Sequence, residues 1–355
     1  MCPSPAKPVP ASPASPGPRT PHAETADVET GTSHHAGDRR PAPQSRSPQS
    51  RSAGPRTTPG TRKPTTPGAQ KPAPRRPKRG SRRKAWVPDQ HGAWAMLALS
   101  PLLGVFTSGA NWRHTPLLLA WWSGYFTYQA WAKWVKVRSP RKAEYRAPLA
   151  VYGAVTGVGA VASIASAPAL LWWGLVLAPL IAVAVIEVLR RNERSLLSGV
   201  STVLAAGLTL PIATSLGTAA LSASAPVGTP GLAMSQAGWA GTTLVTAYFL
   251  GTVLHVKALI RERASLVYWW ATTAWHAAFA VACVVAAVAS PAWLDDVPSW
   301  ALWLQAALWL GLTVRTWAMV RAQHAGRRFT PKQIGIPEIA ISVAVGGSVV
   351  PLLLG

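Results

Sequence analysis

The chain has 355 residues, 49% hydrophobic and 13% charged, with a formal net charge of +23 at neutral pH. A soluble domain usually has about 25% charged residues, so the composition excludes an ordinary soluble globule for most of the chain. Two cysteines, Cys2 and Cys283, exclude a disulfide framework and have no metal-ligand spacing.

Residues 1–85 are rich in Pro, Ser, Thr, Arg and Lys, and hold 17 of the 35 Lys and Arg residues but only 4 of the 12 Asp and Glu residues. Such a segment has too little apolar surface to offset its ordering entropy. It reads as a disordered, Pro/Arg-rich basic tail. Units such as Arg75-Arg76-Pro77-Lys78-Arg79 favour extended, polyproline-like backbone. The basic run at residues 78–84 suits anionic headgroups, at about 1 kcal/mol per charge near a membrane surface. No motif in the tail points to specific nucleic-acid binding. The region after Met1 lacks the apolar core of a secretory signal, so the first membrane span is expected to start translocation and stay in the protein.

From Trp86 onward the pattern changes to long apolar runs separated by short charged clusters. A helix needs about 20 apolar residues to cross the hydrocarbon core. Nine segments qualify, at 94–110, 116–134, 148–165, 169–189, 197–216, 239–260, 266–289, 299–320 and 334–354. Pro101, Pro179, Pro211 and the Gly346-Gly347 pair interrupt four of them, which membrane helices tolerate when neighbours satisfy the freed backbone. The expected fold is an all-α integral membrane protein of about nine transmembrane helices.

Loop charges give the orientation. Basic residues follow the second segment (Lys133, Lys136, Arg138, Arg141, Lys142, Arg146), the fourth (Arg190, Arg191, Arg194), the sixth (Lys257, Arg261, Arg263) and the eighth (Arg321, Arg327, Arg328, Lys332). The alternate loops carry Arg113, two neutral connections and the acidic pair Asp295-Asp296. Lys and Arg in short loops favour the cytoplasmic side, so the N-terminus is expected inside and the C-terminus outside, in a cytoplasmic membrane. Many of the 18 tryptophans fall near segment ends, where indole prefers the headgroup level.

Three groups of residues are candidates for a site. The first is Asp89, Gln90 and His91 at the entrance of the first segment. There His91 titrates near neutrality and the other two could orient it, although Asp89 also suits a helix cap. Tyr145 and Arg146 open the third segment. The last group comprises Glu187, Glu193, Arg194, Lys257, Arg261, Glu262 and Arg263, mixed-sign clusters that exceed what topology requires. Glu187 and Lys257 fall at membrane depth, where charge is usually paired or functional. Together the clusters would form a cytoplasm-facing basic site for an anionic lipid or small anion. A plainer account is that they set topology and snorkel. His276 reads as a satisfied polar residue, and Glu338 as a partner for an inner Arg. No phosphate loop, metalloprotease string or serine elbow is present, and neither a cofactor nor a metal is expected.

The string Val87-Pro88-Asp89-Gln90-His91-Gly92-Ala93-Trp94-Ala95 resembles the opening of the YwiC-like membrane proteins. Tyr145-Arg146-Ala147-Pro148-Leu149, Arg191-Asn192-Glu193-Arg194-Ser195 and Ile260-Arg261-Glu262-Arg263 extend the resemblance to the C-terminus. It implies a bacterial polytopic membrane protein without supplying a reaction. The topology is also similar to the UbiA-type intramembrane prenyltransferases, whose aspartate-rich motifs hold magnesium and diphosphate. This chain has basic residues there, with Glu144 as the only acid in the first region and Arg261-Glu262-Arg263 in the second. Three functions stay open: a UbiA-like transferase with an altered site, a small-anion transporter, and an assembly or regulatory subunit. The sequence leaves the oligomeric state open.

Overall fold

The computed structural model describes residues 86–87, 93–218, 226–230 and 234–355. The tail at 1–85 and the string Asp89, Gln90 and His91 lie outside the described residues. Among the described residues the regular elements are all helical: α1 (Ala93–Ser108), α2 (His114–Lys136), α3 (Ser139–Ser166), α4 (Leu170–Leu189), α5 (Leu196–Thr214), α6 (Gln236–Val256), α7 (Leu266–Ala289), α8 (Ser299–His324), α9 (Pro331–Ser348) and the short α10 (Val350–Leu354). A π-helical turn at Lys257–Arg261 extends α6, and a 3₁₀ turn at Ala292–Leu294 lies between α7 and α8.

Local chemistry sets the helix ends. The hydroxyls of Ser195, Ser235 and Ser265 cap α5, α6 and α7, and Thr330 forms a capping box with Gln333 at the start of α9. After α4 the chain closes a Schellman motif: Asn192 N–H donates to Glu187 O at 2.8 Å and Arg191 N–H to Val188 O at 3.0 Å. This puts Arg191 at φ +58°, a conformation more often given to glycine.

Each segment expected from the sequence falls in a helix. Six helical stretches among the described residues are long and apolar enough to cross a membrane: α3, α4, α5, α6 with its π-turn, α7, and α9 with α10. The other three depart for visible reasons. Helix α1 has only 16 residues. Helices α2 and α8 each carry four tryptophans, and α8 also contains Gln305 and Arg315. The outward faces are strongly apolar. Val267, Val158 and Leu175 are 76%, 71% and 67% exposed, on helices whose polar residues turn inward. That arrangement inverts a soluble fold and suits lipid.

Close packing uses small residues and rescued backbone groups. A side chain at Gly104 would run into Leu210 O and Ala213 of α5, and one at Gly159 into the backbone of α2 near Ala120. Pro101 removes the N–H that would bond the carbonyl of Leu97, four residues earlier. Two indoles from α2 take its place: Trp121 Nε1 and Trp122 Nε1 donate to Leu97 O at 3.1 and 3.2 Å. The α1–α2 connection is fastened to the end of α5 by Asn111 Nδ2 on Leu216 O and by His114 Nε2 at 3.0 Å from Ala213 O.

Candidate functional site

A vestibule of about 320 Å³ opens where α2, α5 and the end of α6 meet. Its polar rim comes from the α4–α5 connection (Glu193, Arg194, Ser195), from Ser198 on α5, and from Lys257 and Arg261 on the π-turn. Tyr125, Tyr128 and Gln129 of α2 and Met96 of α1 form the opposite wall. The π-turn is part of the geometry. Glu262 N–H returns five residues to Lys257 O at 2.8 Å, and the widened turn leaves Lys257 and Arg261 on the vestibule.

The rim is tied together by charge. Lys136, at the end of α2, pairs with Glu193. Arg261 Nη1 donates to Arg194 O at 3.3 Å, joining the π-turn to the α4–α5 connection. Lys257 is 9% exposed, and its ammonium lies 5.5 Å from the centre of the Tyr268 ring, within range of a cation–π contact. Among the described residues Glu193 is the sole carboxylate on the wall, and it is already engaged.

A second space of about 430 Å³ lies beside the vestibule in the α1–α5 part of the bundle. Both spaces are bordered by Met96, Tyr125, Tyr128 and Thr202, so they adjoin along those residues. The wall of the second space is almost wholly apolar, including Leu177, Leu180, Ile181, Ala184, Ala205 and Ile212. A vestibule with a charged rim and an oily chamber thus share a tyrosine-bearing wall.

The sequence candidates divide. Glu193, Arg194, Lys257 and Arg261 meet on the vestibule. Glu187 is buried behind the rim, where its carboxylate accepts from Asn192 Nδ2 at 3.0 Å and braces the turn after α4. Glu262 contributes backbone bonds to the π-turn, and Arg263 Nε donates to Leu259 O at 3.1 Å. Tyr145 is buried at the start of α3 beside exposed Arg146, and neither borders the vestibule. Sequence reasoning missed the wall opposite the cations. Tyr125, Tyr128 and Gln129 carry no charge, and their spacing in α2 looks like ordinary helix.

A separate polar cluster is buried among α6–α9. Glu338 accepts from Arg315 Nη2 and from Tyr248 Oη, each at 2.7 Å. The inner Arg expected for Glu338 is therefore one within α8 and not a loop residue.

Long apolar helices with lipid-facing exteriors, polar interiors and basic connections define a multi-pass α-helical membrane protein. The comparisons narrow this. A family model described as YwiC-like protein matches residues 87–214. The chain is 31% identical to the uncharacterized protein YwiC of Bacillus subtilis (strain 168) over 192 residues, 52% of this chain and 72% of that protein. It is 24% identical to an uncharacterized protein of Haemophilus influenzae over 202 residues, 57% of this chain and 79% of that one. No solved structure matches. The chain belongs to the YwiC-like family.

Proposed function

We propose that this protein binds an anionic amphiphile, with its head on the rim cations and its chain in the apolar chamber. The observation that carries the reading is that the two spaces adjoin along Met96, Tyr125, Tyr128 and Thr202. A lone basic rim would suit a small anion, and a lone apolar chamber would suit a hydrocarbon. Their junction fits a molecule with both parts. Lys257, Arg261 and Arg194 supply the charge for a phosphate or carboxylate head. A lipid chain passing from the bilayer into the chamber exchanges one apolar surrounding for another, so the rim cations would select the head and the chamber would fit the chain. Among the described residues the one wall carboxylate is held by Lys136, which favours direct contact between cations and head over a magnesium site with paired carboxylates.

The same reading takes the nine helices as spans of a bacterial cytoplasmic membrane, with the N-terminus and the vestibule inside. Support comes from the basic loops, which meet one another. Lys136 pairs with Glu193, Arg261 bonds Arg194, and Gln323 Nε2 near the end of α8 donates to Ala258 O of the π-turn at 3.0 Å. Four basic segments gathered at one end agree with the positive-inside rule.

Lipid mass spectrometry on the purified full chain tests the binding. The wild type should retain an anionic single-headed lipid that Arg194→Ala and Arg261→Ala lose in large part. An equal lipid complement in all three would overturn the reading.

A further inference from the structure

The α6–α9 part holds a line of buried polar groups that the amphiphile reading does not use. Tyr248 and His255 come from α6, Thr272 and His276 from α7, Gln305 and Arg315 from α8, and Glu338, Ser342 and Ser348 from α9. All but Arg315 are at least nine-tenths buried, and the Arg315 side chain is 22% exposed. The links are short. Arg315 and Tyr248 both reach Glu338, Tyr248 Oη lies 3.1 Å from Ser342 Oγ, and Gln305 Nε2 donates to Ser348 Oγ at 3.1 Å. On α9 alone, the stretch from Glu338 to Ser348 covers about 15 Å at 1.5 Å per residue, roughly half of a hydrocarbon core of about 30 Å.

Several atoms on this line have no protein partner among the described residues: both ring nitrogens of His255, Thr272 Oγ1, Trp309 Nε1 and Gln305 Oε1. These residues are 2%, 0%, 0% and 2% exposed. They are also related by packing. Gly251 of α6 lies against His276 of α7, so in this antiparallel pair His255 falls opposite Thr272, one turn away. The charged and titratable neighbours of His255 are His276 on α7, Arg315 on α8 and, through Arg315, Glu338 on α9. Its own helix adds Tyr248 and Lys257, and α5 presents no titratable residue. An unsatisfied buried polar atom costs about 1–3 kcal/mol, and internal water with two to four polar partners is the usual relief. Ionisable residues at membrane depth commonly mark ion or proton paths.

We propose that this seam is a hydrated proton path through the α6–α9 part of the bundle. One end is His255, in the last turn of α6 beside the basic α6–α7 connection. The other is Gln305, which borders a mainly apolar cavity of about 230 Å³ beside Trp293 and Leu294. An imidazole such as that of His255, with one ring nitrogen that donates and one that accepts, is suited to a relay. One ring nitrogen takes a proton from hydronium, leaving water, while the opposite N–H gives its proton to the next water. The ring ends as its other tautomer, and one positive charge has advanced. Glu338 holds Arg315 and Tyr248 in line along the seam, one on each carboxylate oxygen.

The full chain, reconstituted in phosphatidylethanolamine–phosphatidylglycerol vesicles with trapped pyranine, tests this after an external acid jump, with potassium and valinomycin clamping the potential. Internal acidification should be about tenfold faster than in protein-free vesicles, equivalent to a barrier about 1.4 kcal/mol lower. His255→Phe and Glu338→Gln should return it to the protein-free rate, while Val343→Ala on the lipid face leaves it unchanged. If His255→Phe does not fold, Thr272→Val, nearly equal in shape, should give the same loss. A wild-type rate equal to that of protein-free vesicles, or folded seam variants as fast as wild type, would overturn the proposal. None of these residues lines the vestibule, so failure here leaves the amphiphile reading standing, and the converse also holds.

Discussion

The α1–α5 and α6–α9 parts solve the same problem in opposite ways. Both must pack apolar helices in lipid, where association relies on close contact and hydrogen bonds more than on expulsion of water. In the first part the helices touch through small residues, such as Gly104 against α5 and Gly159 against α2, and then separate around the apolar chamber. In the second, large side chains close the interior. Trp309 and Val345 are 0% exposed and Tyr248 is 1%, and the polar seam runs through that packed core. One part thus keeps an apolar space, while the other encloses a line of polar groups, some of them without a protein partner among the described residues. The family match to residues 87–214 covers the chamber helices and the Glu193–Arg194 rim, whereas Lys257 and Arg261 lie beyond it.

The largest effect should come from the seam. Arg315→Ala leaves the Glu338 carboxylate buried without its cation, and loss of one partner of a buried pair typically costs about 3–5 kcal/mol. Thermal unfolding in detergent or nanodiscs should show it, and the double replacement Arg315→Met with Glu338→Leu should recover most of the loss. If the single variant is as stable as wild type, the seam is not a packed polar core.

Added bulk should then separate the two parts. Ala280→Phe, at a position 2% exposed in the α7 core, is overpacking and should cost about 1–3 kcal/mol. Ala205→Phe, on the chamber wall, should leave stability nearly unchanged and reduce retained lipid. Equal destabilisation by both would remove the contrast on which the amphiphile reading rests.

A smaller effect concerns the proline of α1. Trp121→Phe or Trp122→Phe alone should cost under about 1 kcal/mol, since one indole still serves Leu97 O. The double variant should cost about 1–3 kcal/mol for an unpaired buried carbonyl. Pro101→Ala should suppress that loss by restoring the helix's own N–H. A double variant equal in stability to either single one would show that the carbonyl finds another donor.

The smallest effect is expected at the rim. Lys136 and Glu193 are 27% and 34% exposed, and a partly solvated pair contributes at most about 1 kcal/mol. Lys136→Ala should barely move the unfolding midpoint while changing headgroup preference in the lipid assay. A large stability loss would make this pair a structural clamp.

Much of the architecture was legible in the chain. Helix positions follow from apolar length, and breakers such as Pro101 and Pro179 stand inside helices as expected. Part of the rim was legible as well, because Arg194 and Arg261 stand in mixed-sign clusters and Lys257 falls at membrane depth. The tyrosine wall was not. Tyr125 and Tyr128 border both spaces only because α1 and α5 stand where they do, and no local pattern encodes that distance. The partner of Glu338 was equally hidden, since Arg315 is 23 residues away in another helix.

By itself the sequence determined that this is a multi-pass helical membrane protein, because the cost of exposing backbone or charge to lipid acts on each segment separately. Tertiary structure alone decided which cations share a rim, that an apolar chamber adjoins the vestibule, and that His255, Arg315 and Glu338 fall along one seam. Those outcomes depend on which helix faces turn towards each other, and that is set by pairwise packing among elements distant in the chain.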